Sequence, residues 1–208
     1  MKGDYPQATD NALKCLGLFG IDLPAHPSRE EVQAEYETVW RNLEGRPVES
    51  LIDLPLMTDP ELQAAMRLCS DLAGVAYFTD VHLMCLLACR MVNISMQHGM
   101  SDASAHAYGC WAFLGLVFHR YGEGYRFAKV GCDLVEKHNF IAHQAKVYLL
   151  TAIAAFWTQP IASAIDFTRT GIRTAIETGD LTFACYGIAH MGTELLLQSN
   201  PLDAVWRE

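Results

Sequence analysis

A pattern that recurs every forty residues limits what this chain can become: Tyr108, Phe127 and Gly131 are answered by Tyr148, Phe167 and Gly171. Repetition at that period in sequence without strand alternation specifies helical hairpins stacked as an α-solenoid. A third copy begins at Tyr186, in Thr182-Phe183-Ala184-Cys185-Tyr186, and runs into Pro201-Leu202-Asp203-Ala204-Val205-Trp206-Arg207-Glu208. The chain is therefore expected to stop inside a unit, as a fragment of a longer protein. The expected fold is all-α, with antiparallel helical hairpins in a tetratricopeptide-like α-solenoid forming one domain over 1–208. Irregular helices occupy 1–99, and repeat units follow at 100–139, 140–179 and 180–208, the last one truncated.

Composition agrees with helices that pack on both sides. Of the 208 residues 51% are hydrophobic and only 19% charged, a balance that excludes disorder. The net charge of −9 leaves no basic stripe, so nucleic acid is not an expected partner. Seven cysteines, an odd number at mostly apolar positions, together with no secretory leader, point to the reducing cytoplasm. The stretch 147–165 has no charged residue and approaches the length of a membrane span. Thr158-Gln159-Pro160 interrupts it, however, and divides it into two helices.

Local signals mark the helices. The first is expected from Ala8 to Phe19, closed by Gly20. Ser28 and Glu31 form a capping box for the second, which carries Val32, Tyr36, Val39, Trp40 and Leu43 at helical spacing. A short helix or turn spans Arg46 to Leu54, and Thr58 or Asp59 caps a helix that has Pro60 at its first position and reaches about Tyr77. Asp80 opens a helix to His98 that is apolar nearly all round, the mark of a central position. The first regular hairpin runs from Ser101 or Asp102 to Tyr121 and from Tyr125 to His138, with its tight turn at Gly122 and Gly124. The second runs from Ala142 to Thr158 and from Ile161 to Thr178, and Asp180 caps the last long helix. Gly131 and Gly171, inside helices, imply close packing there.

Chemical signals are sparse. His82, Cys85 and Cys89 stand at i, i+3 and i+7, so one helix face presents an imidazole and two thiols, the start of a metal site or a redox sensor. Their neighbours Leu83, Met84, Leu86 and Leu87 favour the alternative, in which buried cysteine serves as a small hydrophobe. His106 and Cys110, one turn apart, lie near Trp111, Phe113 and Phe118 and read the same way. His119-Arg120-Tyr121 lacks the aspartate of a kinase catalytic loop, and Asp166-Phe167-Thr168 lacks the glycine of the magnesium-binding triplet. Phosphate-cradling loops, His-Glu-x-x-His helices and nucleophile elbows are missing from the sequence. The expectation is a non-enzymatic segment without catalytic residues, cofactor or metal.

The wording of particular runs is recognisable. Gly20-Ile21-Asp22-Leu23-Pro24-Ala25-His26-Pro27, the run from Ser50 to Pro60, and Ala76-Tyr77-Phe78-Thr79-Asp80 resemble the helical middle region of very large bacterial multi-sensor kinases. Ala103 to Gly109, Phe118 to Tyr121, Tyr125-Arg126-Phe127, Asp133 to Lys137 and Glu177 to Leu181 extend the resemblance over nearly the whole chain. It implies a neighbourhood of a serine/threonine kinase domain, an AAA-type signalling ATPase, a GAF sensor and a histidine kinase. Their catalytic motifs belong to those flanking domains, so the resemblance assigns no functional residue here. What it implies is a regulatory arm that contacts a protein or adjoining domains of the same polypeptide. Its concave surface would be lined mainly by the first helix of each pair. A structural or dimerisation arm, and a small-molecule or metal sensor around His82, Cys85 and Cys89, are the alternatives.

Overall fold

The computed structural model describes residues 5–207, the side chain of Ala204 apart, and no strand occurs among them. Ten α-helices follow in order: α1 (Tyr5–Leu18), α2 (Arg29–Leu43), α3 (Pro60–Thr79), α4 (Val81–His98), α5 (Asp102–Val117), α6 (Tyr121–His138), α7 (Ile141–Thr158), α8 (Ile161–Thr178), α9 (Leu181–Leu197) and α10 (Leu202–Val205). A 3-10 helix spans Val48–Asp53 between α2 and α3. No helix among the described residues is long and apolar enough to cross a membrane, since α7 ends at Thr158 and α8 begins only after Pro160.

The packing divides the chain into two compact units, Met1–Ala107 and Tyr108–Glu208. In the first, α4 packs against both α2 and α3, and α1 packs on α3. That position explains the all-round apolar sequence of α4, which is buried continuously from Leu83 to Cys89. Caps fix where these helices start. Ser28 and Glu31 bond reciprocally at the head of α2, and Asp59 Oδ1 accepts from the N–H groups of Glu61 and Leu62 at the head of α3. The segment before α3 is tied to the turn before α5 by two backbone bonds, Met57 N–H to Met100 C=O at 2.7 Å and Met100 N–H to Pro55 C=O at 2.8 Å. Gly99 sits at that crossing with φ +92°, and a Cβ there would meet the Pro55 carbonyl oxygen at 2.7 Å, so only glycine fits.

In the second unit successive helices α6, α7, α8 and α9 pack each on the next, and α9 also touches α7. The forty-residue sequence period becomes a repeated contact: the rings of Tyr108 and Phe127 lie 6.3 Å apart, those of Tyr148 and Phe167 6.5 Å. Gly171 is held against Leu149, whose Cγ a Cβ would meet at 2.8 Å, which accounts for a glycine in mid-helix.

One expected turn moves. Gly122 and Gly124 lie inside α6, and the turn falls instead at Phe118-His119-Arg120. His119 takes φ +57°, and the Arg120 and His119 N–H groups bond the carbonyls of Gly115 (2.8 Å) and Leu116 (3.4 Å), a Schellman closure with a non-glycine residue in the left-handed position. Gly124 is needed elsewhere: a Cβ on it would meet the Trp111 carbonyl oxygen at 2.8 Å and Gly115 Cα at 3.1 Å. The same closure ends α8 at Gly179 and α9 at Ser199, and α6 ends at a left-handed Asn139 with the outer bond of that closure, Phe140 N–H to Val135 C=O at 3.1 Å. The pairs 139/179 and, two periods apart, 119/199 therefore carry the repeat into the backbone.

Candidate interaction surface

His82, Cys85 and Cys89 all lie on α4. His82 is half-buried in its first turn, where its N–H is taken up by the Asp80 cap at 3.0 Å, while both thiols are fully buried. Burial, with a smaller contribution from Asp80, pushes the Cys85 thiol up to about 12, and burial drives Cys89 well above its ordinary value. Metal binding needs the thiolate, so both environments oppose it. Among the described residues no three His, Cys, Asp or Glu side chains converge in a way that could hold a metal ion. The expected chemical consequence is inertness. In native buffer a thiol reagent should modify Cys15 and Cys185, which are exposed, and leave Cys69, Cys85, Cys89, Cys110 and Cys132 intact. At pH 8 a thiol of pKa about 12 is roughly one part in ten thousand thiolate, so fast labelling of more than two cysteines would contradict this burial.

His106 is also buried. Its Nδ1 lies 2.7 Å from the Ser70 hydroxyl, and the two are 5% and 2% exposed. A serine beside a histidine has the outline of a nucleophile and its base, but both are closed to a substrate, and the bond ties α3 to α5 within the first unit. Sequence reasoning paired His106 with Cys110 and did not see Ser70.

A second polar group escaped the sequence entirely. Arg90 of α4 forks onto Glu35 of α2, with Nε to Oε1 at 2.9 Å and Nη2 to Oε2 at 3.0 Å. Asn93 donates to Glu35 Oε1 at 2.7 Å and accepts from Asn42 at 2.9 Å. A bidentate pair backed by two amides fixes the register of α2 on α4. The available signal was the presence of Arg90 and Asn93 in an otherwise apolar helix.

Several runs that carry the family resemblance prove to be joints. His26 Nδ1 reaches Asp80 Oδ2 at 3.0 Å, joining the first run to the third, while Asp80 also caps α4. Glu136 accepts from the Tyr148 hydroxyl at 2.7 Å, and Lys129 pairs with Asp133 along α6. Glu177 to Leu181 contains the Schellman turn at Gly179 and the Asp180 cap, which accepts from Phe183 N–H at 3.2 Å.

The fold leaves aliphatic and aromatic side chains open to a partner, and two of the aromatic groups are pairs. At the α3–α4 corner Tyr77 and Phe78 are edge to face at 4.8 Å and about half exposed, with Val81 beside them in sequence. At the start of α6 Tyr121 stacks on Trp157 at 5.9 Å, and Trp157 is 57% exposed. Exposed aromatic pairs of this kind are what contact surfaces use as anchors. The first helix of the complete second hairpin offers little by comparison, because α7 is exposed only at Ile141, Ala142 and Trp157. A surface lined by α7, as the solenoid reading expects, is largely closed to solvent there.

These features define an all-α protein whose distinctive residues hold the fold and whose exposed positions include two aromatic pairs. No family model matches the sequence, and no solved structure matches it. It is similar to Hybrid signal transduction histidine kinase G of Dictyostelium discoideum, 18% identical over 226 residues. The alignment takes in 98% of this chain and 6% of that kinase. The likeness is distant, and it relates this helical chain to a small part of a signalling kinase.

Proposed function

We propose that this chain is a non-catalytic helical-repeat module, tetratricopeptide-like in plan and acting as one domain, whose contacts with a protein or with adjoining domains regulate a signalling ATPase or kinase in the cytoplasm. The observation that carries the reading is the reach of the similarity: it spans nearly this whole chain yet only a small part of a signal transduction histidine kinase. A helical stretch that repeats hairpins and sits inside a far larger signalling protein suits a regulatory arm. The exposed Tyr77/Phe78 and Tyr121/Trp157 pairs supply anchors for such contacts.

The reading is tested by ATP turnover of the signalling ATPase domain that the resemblance sets beside this region, measured with and without the chain in excess. A saturable change of several-fold in either direction is expected, corresponding to a coupling of about 1–3 kcal/mol. Turnover that stays flat to high concentration of the chain would contradict a regulatory contact.

A further inference from the structure

The seam between α8 and α9 departs from the repeat at one buried pair. Forty residues before Thr168 and Glu194 stand Ala128 of α6 and Ala154 of α7, which pack together in a buried cluster with Ala112. Where the α6–α7 seam has two methyl groups, the α8–α9 seam has a hydroxyl and a carboxyl. Thr168 Oγ1 donates to Glu194 Oε1 at 2.9 Å, and the two residues are 0% and 2% exposed. Glu194 Oε2 is enclosed without a hydrogen-bond partner. The apolar part of the seam is aliphatic: Ile165 of α8 packs with Met191 and Leu195 of α9, and Ile161, Ile172 and Val205 pack against them. The Thr168 bond places the carboxyl on the side of α9 that meets α8, so a group packed on the opposite side of α9 does not reach it.

A carboxyl enclosed in this way tolerates the proton far better than the charge, because one hydroxyl donor replaces only part of the water that an ionised group loses. No charge on the surrounding elements offsets that cost. On α8, Asp166, Arg169, Arg173 and Glu177 are exposed. After α9, Asp203 and Arg207 pair with each other at 3.0 Å. On α7, Lys146 lies over the Phe183 ring near the start of α9, and His143 is buried in the first turn. On α9 itself Cys185 and Tyr186 lie two turns or more before Glu194, and burial lowers His190, one turn before it, so that imidazole is neutral at pH 7. Burial raises the Glu194 carboxyl to about 7, against the Thr168 bond.

We infer that Glu194 makes the docking of α9 on α8 a pH-sensitive switch: the protonated carboxyl seats the helix, and ionisation frees it to swing from α8 about Gly179. Water can reach an ionised carboxyl once the seam opens, and opening this one seam leaves the α6–α7 seam and its alanines closed. Gly179 suits a hinge, since it joins the two helices in the left-handed region at φ +77° and a Cβ there would meet nothing within 4 Å. Release uncovers Ile165 and Ile172 on α8 and Met191 and Leu195 on α9, an apolar surface hidden at lower pH. The switch is a property of the fold and is tested apart from the contact-module reading.

Amide hydrogen exchange of the full chain, helix by helix at pH 6 and pH 8, separates release of α9 from loosening of the whole unit. Each rate is divided by that of an unstructured chain at the same pH, which removes the intrinsic pH dependence. Protection of the α9 amides is expected to fall about tenfold from pH 6 to pH 8, while that of α6 and α7 changes much less. Glu194→Gln, which keeps the acceptor for Thr168, should hold α9 protection level across the same range. Glu194→Ala, which restores the residue found at 154, should do the same. An equal fall in α6, α7 and α9 would overturn the inference, because the unit would then be opening as a whole. Protection of α9 that is indifferent to pH, or a fall that persists in both variants, would overturn it as well.

Discussion

Trp111→Ala is expected to destabilise the second unit by about 3–5 kcal/mol, a large fraction of what holds a domain of this size folded. The indole is 1% exposed, and its ring stacks on Phe127 with centroids 3.7 Å apart and planes 22° from parallel. Phe127 also contacts Tyr108, so three rings from α5 and α6 fill one space. Relaxation cannot close the cavity cheaply. The two helices already touch backbone to backbone where Gly124 meets the Trp111 carbonyl and Gly115, and they cannot move nearer. Urea titration followed by circular dichroism should show the midpoint fall with little change in slope. A loss below about 1 kcal/mol would mean that the ring is not packed as described.

Glu194→Gln is expected to stabilise the protein at pH 8 by on the order of 2 kcal/mol and to leave it unchanged near pH 4. Glu194 is 2% exposed; its Oε1 accepts from the Thr168 hydroxyl at 2.9 Å, while its Oε2 has no hydrogen-bond partner. Burial raises its carboxyl to about 7, and the Thr168 bond pulls weakly the other way. The sign follows from proton binding. Below about pH 4.5 both folded and unfolded chains hold the proton, and the acid costs nothing. Between there and about 7 the folded chain keeps a proton that the unfolded chain releases, so stability falls as pH rises. Above 7 the folded protein bears the full cost of a buried charge. Denaturation midpoints across pH 4–8 should therefore decline for the native sequence and stay flatter for the glutamine variant. Parallel curves would show that Glu194 is not the group responsible.

The helices were legible because their signals are local. Ser28 with Glu31, Asp59 with Pro60, and Asp80 begin the helices that the sequence assigned to them, and Thr158-Gln159-Pro160 divides α7 from α8 as read. The α5–α6 turn was misplaced because glycine serves two ends. Gly124 reads as a turn residue, yet it is spent on a helix crossing, while His119 takes the left-handed turn position that glycine usually fills. The polar contacts were illegible for a different reason. Glu35 and Arg90, or Ser70 and His106, are brought together by tertiary packing across 55 and 36 residues, and no periodicity links them. His82, Cys85 and Cys89 were visible as a spacing, but the burial that silences the thiols depends on where α2 and α3 pack around α4.

The central claim, that this chain works by contact inside a signalling assembly, is tested most directly by light scattering. The mass of the chain is measured alone and then with the signalling ATPase domain that the family resemblance implies in excess. A new species with the mass of a one-to-one complex is the predicted result. A mass that does not change, or a homodimer indifferent to the added segment, would contradict the account and favour a purely structural arm.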